Sequence, residues 1–86
     1  MSKARQFISL VEADVTKEGH SVKYKPNKDL SNHEADVLHY AVDSYSHVLD
    51  SGSYSYKQFA NEISQVYDVK EPRNKAVVDL LNKISS

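Results

Sequence analysis

Hydrophobic positions recur with a helical period along most of this chain, and the clearest run is Ser31 to Asp50, SNHEADVLHYAVDSYSHVLD. Ser31 stands three residues before Glu34, the capping-box spacing in which each side chain satisfies a backbone donor at the other's position. On a helical wheel Ala35, Ala41, Val42, Tyr45 and Leu49 fall within roughly 60° of Leu38, a stripe wide enough to face a core. The pattern predicts a helix whose opposite face carries Asp36, His39, Tyr40, Asp43, His47 and Asp50.

The same period predicts three more helices. Ser2 to about Thr16 places Ala4, Phe7, Ile8, Val11 and Val15 on one side, and Gly19 suits the position just past a helix end. A third helix, about Tyr56 to Tyr67, is announced by the capping box of Ser55 and Gln58 and carries Phe59, Ala60, Ile63 and Val66 on its stripe. Pro72 fits the first turn of a fourth, where its missing N–H does no harm; Val77, Leu80, Leu81 and Ile84 are its apolar face.

Between the first and second helices the period changes. His20 to Pro26 alternates Val22 and Tyr24 against Ser21, Lys23 and Lys25, the two-residue repeat of extended chain. With no second strand of comparable quality, the segment reads as an extended connection that lays Val22 and Tyr24 on the helices, or as a strand paired with another protein or a second copy. The expected fold is therefore all-α: a small four-helix bundle or orthogonal helical array with one extended connection after the first helix.

Length and composition narrow this picture. Eighty-six residues, 1–86, form one domain, since a chain of this size buries only about 60 to 65% of its unfolded surface. With 40% hydrophobic and 27% charged residues the composition is that of a folded helix-rich domain rather than a disordered one. There is no Cys, which excludes disulfides, thiolate catalysis and Cys-ligated zinc. No apolar run is long enough to span a bilayer, and no basic region followed by an apolar stretch opens the chain, so a cytoplasmic protein without membrane contact is expected.

The net charge of −1 lacks the basic excess of a bulk nucleic-acid binder, but its distribution is uneven. Lys17, Lys23, Lys25 and Lys28 crowd one segment, whereas Asp29 to Tyr56 holds five acidic residues and no Lys or Arg.

Candidate chemistry is sparse. His39, Asp43 and His47 repeat every four residues, so a neighbouring pair could share a metal ion, but the two histidines lie about 12 Å apart along a helix axis, too far for one ion to bind both. No metal or cofactor is expected. No GxSxG elbow restricts a Ser-His-Asp choice, and the two glycines, Gly19 and Gly52, form no phosphate loop. The expected function is a small non-enzymatic protein-binding module or regulator. Its surface is the acidic helix face Asp36, His39, Tyr40, Asp43, His47 and Asp50, and its partner a protein with a basic surface. A merely solvated face is the competing reading. The alternative is helix-turn-helix-like DNA or RNA binding, with Lys23, Lys25, Arg73 and Lys75 on phosphates and Tyr24 stacking on a base.

Overall fold

The computed structural model describes residues 13–25 and 29–85. Their order is strand β1 (Val15–Glu18), strand β2 (Ser21–Tyr24), helix α1 (Asn32–Tyr45), a 3₁₀ turn (Ser46–Val48), strand β3 (Gly52–Tyr54), helix α2 (Tyr56–Val66) and helix α3 (Pro72–Lys83). The fold is α+β: a three-stranded antiparallel sheet of order β2-β1-β3 with three helices. This corrects the all-α reading, and with it the four-helix bundle or orthogonal array.

The correction centres on the chain around Gly19. Most of the expected first helix, residues 2–12, lies outside the described residues, but its last residues, Val15 and Thr16, are in β1. Both are β-branched, side chains that pack well on a pleated surface and lose rotamer freedom in a helix. Glu18 pairs with Ser21 across a two-residue loop. Gly19 has φ of 61°, and no other type of residue among those described has positive φ. A two-residue hairpin loop with positive φ at its first position favours a glycine there. Gly19 thus takes the left-handed conformation that a helix end would also have used, in a different element. The partner of β2 is β1 of the same chain, not a second molecule, with Val15 opposite Tyr24 and Lys17 opposite Val22.

The sheet obeys the alternation read from the sequence. Val22 and Tyr24 pack against the core while Ser21, Lys23 and Lys25 are exposed. Val15, the central strand's inward residue, is completely buried, with Tyr24 on one side and Tyr54 on the other. The next inward residue, Lys17, spans the gap to the helical layer. Its ammonium donates to the carbonyl oxygens of Ser46 (3.2 Å) and Leu49 (2.7 Å), where the chain leaves the 3₁₀ turn; the Ser46 carbonyl also accepts from the Leu49 backbone N–H. β3 is only three residues long, too short for its alternation to have shown.

α1, α2 and α3 begin where expected, for the expected reasons, although α1 ends at Tyr45, short of the expected Asp50. Both capping boxes are closed in both directions, Ser31 with Glu34 and Ser55 with Gln58. Glu34 also takes a hydrogen bond and ion pair from Lys83 at the far end of α3. That ion pair, then the Ser31 backbone N–H, hold the Glu34 carboxyl down at about 2. Pro72 begins α3. One cluster of buried apolar side chains joins all the elements, with Phe59, Leu38, Ile63 and Leu81 its largest fully enclosed members. Phe59→Ala would cost about 3 to 5 kcal/mol, a large share of the ~5 to 15 kcal/mol that holds a domain together. Two stripe residues depart from the wheel: Ala35 is exposed, and Val66, the last residue of α2, is 62% exposed.

The sheet is also joined to α2 by polar contacts. Asp14 accepts from the backbone N–H of Tyr56 at 3.0 Å, and the Tyr56 hydroxyl donates to the Lys25 carbonyl just past β2. Burial, then the nearby Asp14 charge, push the Tyr56 hydroxyl up to about 12.

Candidate functional site

The polar face predicted on the central helix does not stay together. Its residues follow one helical phase only as far as Tyr45, where α1 tightens into the 3₁₀ turn and then into extended chain at Leu49. Asp36 is exposed on α1. His39 and Asp43 line a shallow cleft of about 310 Å³ whose other wall comes from the hairpin, with His20, Val22 and Tyr24. Asp50 lies beyond the helix, exposed, and its backbone carbonyl accepts from the Tyr54 hydroxyl at 2.9 Å.

Tyr40, one residue further round the helix than His39, faces a different recess. It lines an open groove of about 810 Å³ together with Ser44, Tyr45, Val66, Tyr67, Asp68, Glu71, Pro72, Arg73 and Asn74. The groove lies between the second half of α1 and the connection from α2 to α3. At its centre three rings pack on one another, Tyr45 among them buried at 4% exposure. Tyr40 meets Tyr45 edge to face, with centroids 5.8 Å apart and planes at 74°, and Tyr45 meets Tyr67 at 5.0 Å and 66°. Such pairs are favourable beyond their burial because a positive ring edge meets a negative face.

Hydrogen bonds fix the rings. The Tyr45 hydroxyl donates to Asn74 Oδ1 at 2.5 Å, and Asn74 Nδ2 donates to the Asp68 carbonyl at 2.9 Å, so the floor of the groove is tied to both sides of the turn before α3. Burial raises the Tyr45 hydroxyl above its ordinary value, and the neighbouring Tyr40 adds to the effect. The third ring is bonded as well: Tyr67 Oη lies 2.6 Å from His47 Nε2. His47 is therefore engaged with the rings from outside the groove, instead of extending the Asp36 and Asp43 face.

The groove also collects apolar exposure. Tyr40, Val66 and Val69 are the large hydrophobic residues most exposed among those described; the first two line the groove, and Val69 sits in the turn beside it. Of the lining residues on predicted core stripes, Tyr45 is in the core at 4% exposure, as its stripe requires, while Val66 is turned out to solvent. The available signal was the excess of tyrosine, six against two Phe and no Trp.

The residues of the nucleic-acid alternative lie on β2 and its end and on α3. Lys23 is exposed; Tyr24 is half-buried against the core; Lys25 lies 4.0 Å from Asp14; Lys75 pairs with Asp79 at 3.1 Å along α3; Arg73 lines the tyrosine groove. Tyr24 is thus already in use as packing, which limits the ring area it can offer to a base.

Among the described residues no group of three or more His, Asp or Glu side chains is placed to hold a metal ion, and no helix is long and apolar enough to cross a membrane. Comparison with protein-family models, curated proteins and solved structures finds no match to this chain.

Proposed function

We propose that this chain is a small, non-enzymatic protein-binding module of the cytoplasm whose partner engages the exposed side of α1 around Tyr40. The observation that supports it best is the tyrosine groove: amphipathic rings, an arginine and two exposed hydrophobic side chains, Tyr40 and Val66, occupy one open recess. Tyrosine and arginine are the residues that interfaces favour, because they contribute large contact areas and directional hydrogen bonds. A docked protein would also cover Val66 and Val69, whose exposure the fold itself leaves uncompensated.

Charge gives the partner its character. Asp36 and Asp43 are exposed on the same helix as Tyr40, and no Lys or Arg occurs between Asp29 and Tyr56 to offset them. A basic protein surface complements this side, and its attraction would raise the association rate most at low salt. Affinity capture from the native host supplies the partner, and the test is its affinity for the variant Asp36→Lys/Asp43→Lys. The reading requires at least a tenfold loss, about 1.4 kcal/mol, with an unchanged circular dichroism spectrum. Unchanged affinity in that folded variant would place the interface elsewhere.

A further inference from the structure

The sheet ends on one side at β2, and that edge is open. In an antiparallel ladder every second residue turns both its N–H and its C=O toward the same neighbour. The Lys25 N–H donates to the Asp14 carbonyl at 2.8 Å, so Lys23 and Lys25 direct their backbone groups to β1, and those of Val22 and Tyr24 point the other way. β2 is outermost in the order β2-β1-β3, and on its far side the backbone groups of Val22 and Tyr24 meet no partner among the described residues.

Two different surfaces flank this edge. On the helix side, Val22 and Tyr24 are only half-buried and, with His39, Val42 and Asp43 of α1, line the cleft of about 310 Å³ between hairpin and helix. On the opposite face of the sheet Lys23 is exposed, and Lys25 stays 59% exposed although Asp14 lies 4.0 Å from it. A strand laid along β2 sends alternate side chains to these two surfaces. Residues paired with Val22 and Tyr24 reach the cleft, where those two side chains offer apolar contact. The residues between stand opposite Lys23 and Lys25, where an opposite charge stabilises the pair and a like charge destabilises it.

We infer that β2 receives, as a fourth strand, an extended acidic segment of a partner protein in which Asp or Glu alternates with apolar residues. Main-chain hydrogen bonds to Val22 and Tyr24 supply affinity, and the alternate side chains supply specificity. This surface is separate from the acidic side of α1, because the sheet stands between the segment's carboxylates and Asp43. A second copy of the chain fits the edge poorly. An antiparallel pair of β2 strands that uses both Val22 and Tyr24 sets Lys23 directly opposite its own counterpart, the arrangement by which edge lysines keep sheets from joining.

The test titrates the whole chain with a capped peptide of alternating glutamate and valine, and with two versions N-methylated either on the valine amides or on the glutamate amides. In the inferred register the valines pair with Val22 and Tyr24, so their N–H groups donate to β2 while those of the glutamates point away. The expected result is saturable binding of the parent peptide, kept within about threefold by glutamate methylation and reduced at least about tenfold by valine methylation. Hydrogen exchange at the Val22 and Tyr24 amides, fast in the free chain, should slow in the complex, with the Lys23 amide slow in both. Lys23→Glu should weaken binding at least about tenfold and reverse the preference toward a peptide of alternating lysine and valine. Lys23 is exposed, and an unchanged circular dichroism spectrum confirms that the variant keeps the fold.

Equal affinity for the two methylated peptides, which plain charge attraction would give, overturns the inference. Binding of none of the peptides overturns it too, as does a complex in which the Val22 and Tyr24 amides stay unprotected, or an edge that a second copy protects as the chain is concentrated.

Discussion

Lys17 shows how much one side chain contributes in a chain this short. It comes from the middle of the central strand, faces the core side of the sheet, and ends at two carbonyl oxygens of the helical layer. Hydrogen bonds from a charged donor are the stronger class, so Lys17→Met should cost about 1.5 to 3 kcal/mol, measured as a lower urea midpoint. A midpoint equal to the parent's would show that water replaces the lysine without loss.

Two titrating residues give stability a pH signature at both extremes. Glu34 is held at about 2 in the folded state against an ordinary 4.5, so its contribution is complete above pH 4.5 and disappears as the pH falls through 2. Lys83→Met removes the main cause and should flatten that acid limb. Tyr56 moves the other way: its hydroxyl stays protonated to about 12 in the fold but only to about 10 in the unfolded chain. Stability from Tyr56 is therefore complete below pH 10 and lost as the pH rises through 12. Tyr56→Phe should lower stability at neutral pH by about 1 kcal/mol through the lost bond to Lys25, and should weaken the alkaline dependence. Urea midpoints between pH 8 and 12 compare the two proteins.

At the scale of elements, the three helices and the extended run of β2 were legible, and β1 and β3 were not. α1, α2 and α3 each span enough residues for a 3.6-residue period, and each begins at a signal with a mechanism, two capping boxes and a proline. β1 holds four residues that also fit a helical stripe, and β3 only three, too few for alternation to outweigh a competing reading. Val15 was correctly placed in the core but through the wrong element, because a buried β-branched residue fits either stripe. The same brevity explains the divided site: a helical wheel continued past Tyr45 assigns His47 and Asp50 to a face that the 3₁₀ turn and Leu49 have already left. Val66 could not be identified as a groove residue from its periodicity, since the groove exists only where α1 meets the turn before α3, whereas Tyr45 is the core residue its stripe predicts.

The hairpin offers a direct test of the β layer. A Cβ at Gly19 would meet nothing within 4 Å, so any cost of Gly19→Ala is conformational, from holding alanine at φ of 61°. That cost is about 1 kcal/mol, and Gly19→Asn should cost less because asparagine tolerates the left-handed region. Thermal unfolding ranks the three proteins; a fully stable alanine variant would contradict the loop geometry.

The whole molecule joins a lysine-bearing hairpin to an acidic helix, with an open groove lined by Tyr40 and Tyr67 over the buried Tyr45 between that helix and the start of α3. The buried core places Tyr40 around one recess with Val66 and Arg73, although Tyr40 is far from both in sequence. The measurement that tests this account most directly is an isotope-edited titration of the chain with its captured partner, read residue by residue. The account predicts saturable perturbations centred on Asp36, Tyr40, Asp43 and Val66, fading as salt is raised. Perturbations confined to Lys23, Tyr24 and Lys25 on the hairpin, with α1 and the tyrosine groove unmoved, would contradict it.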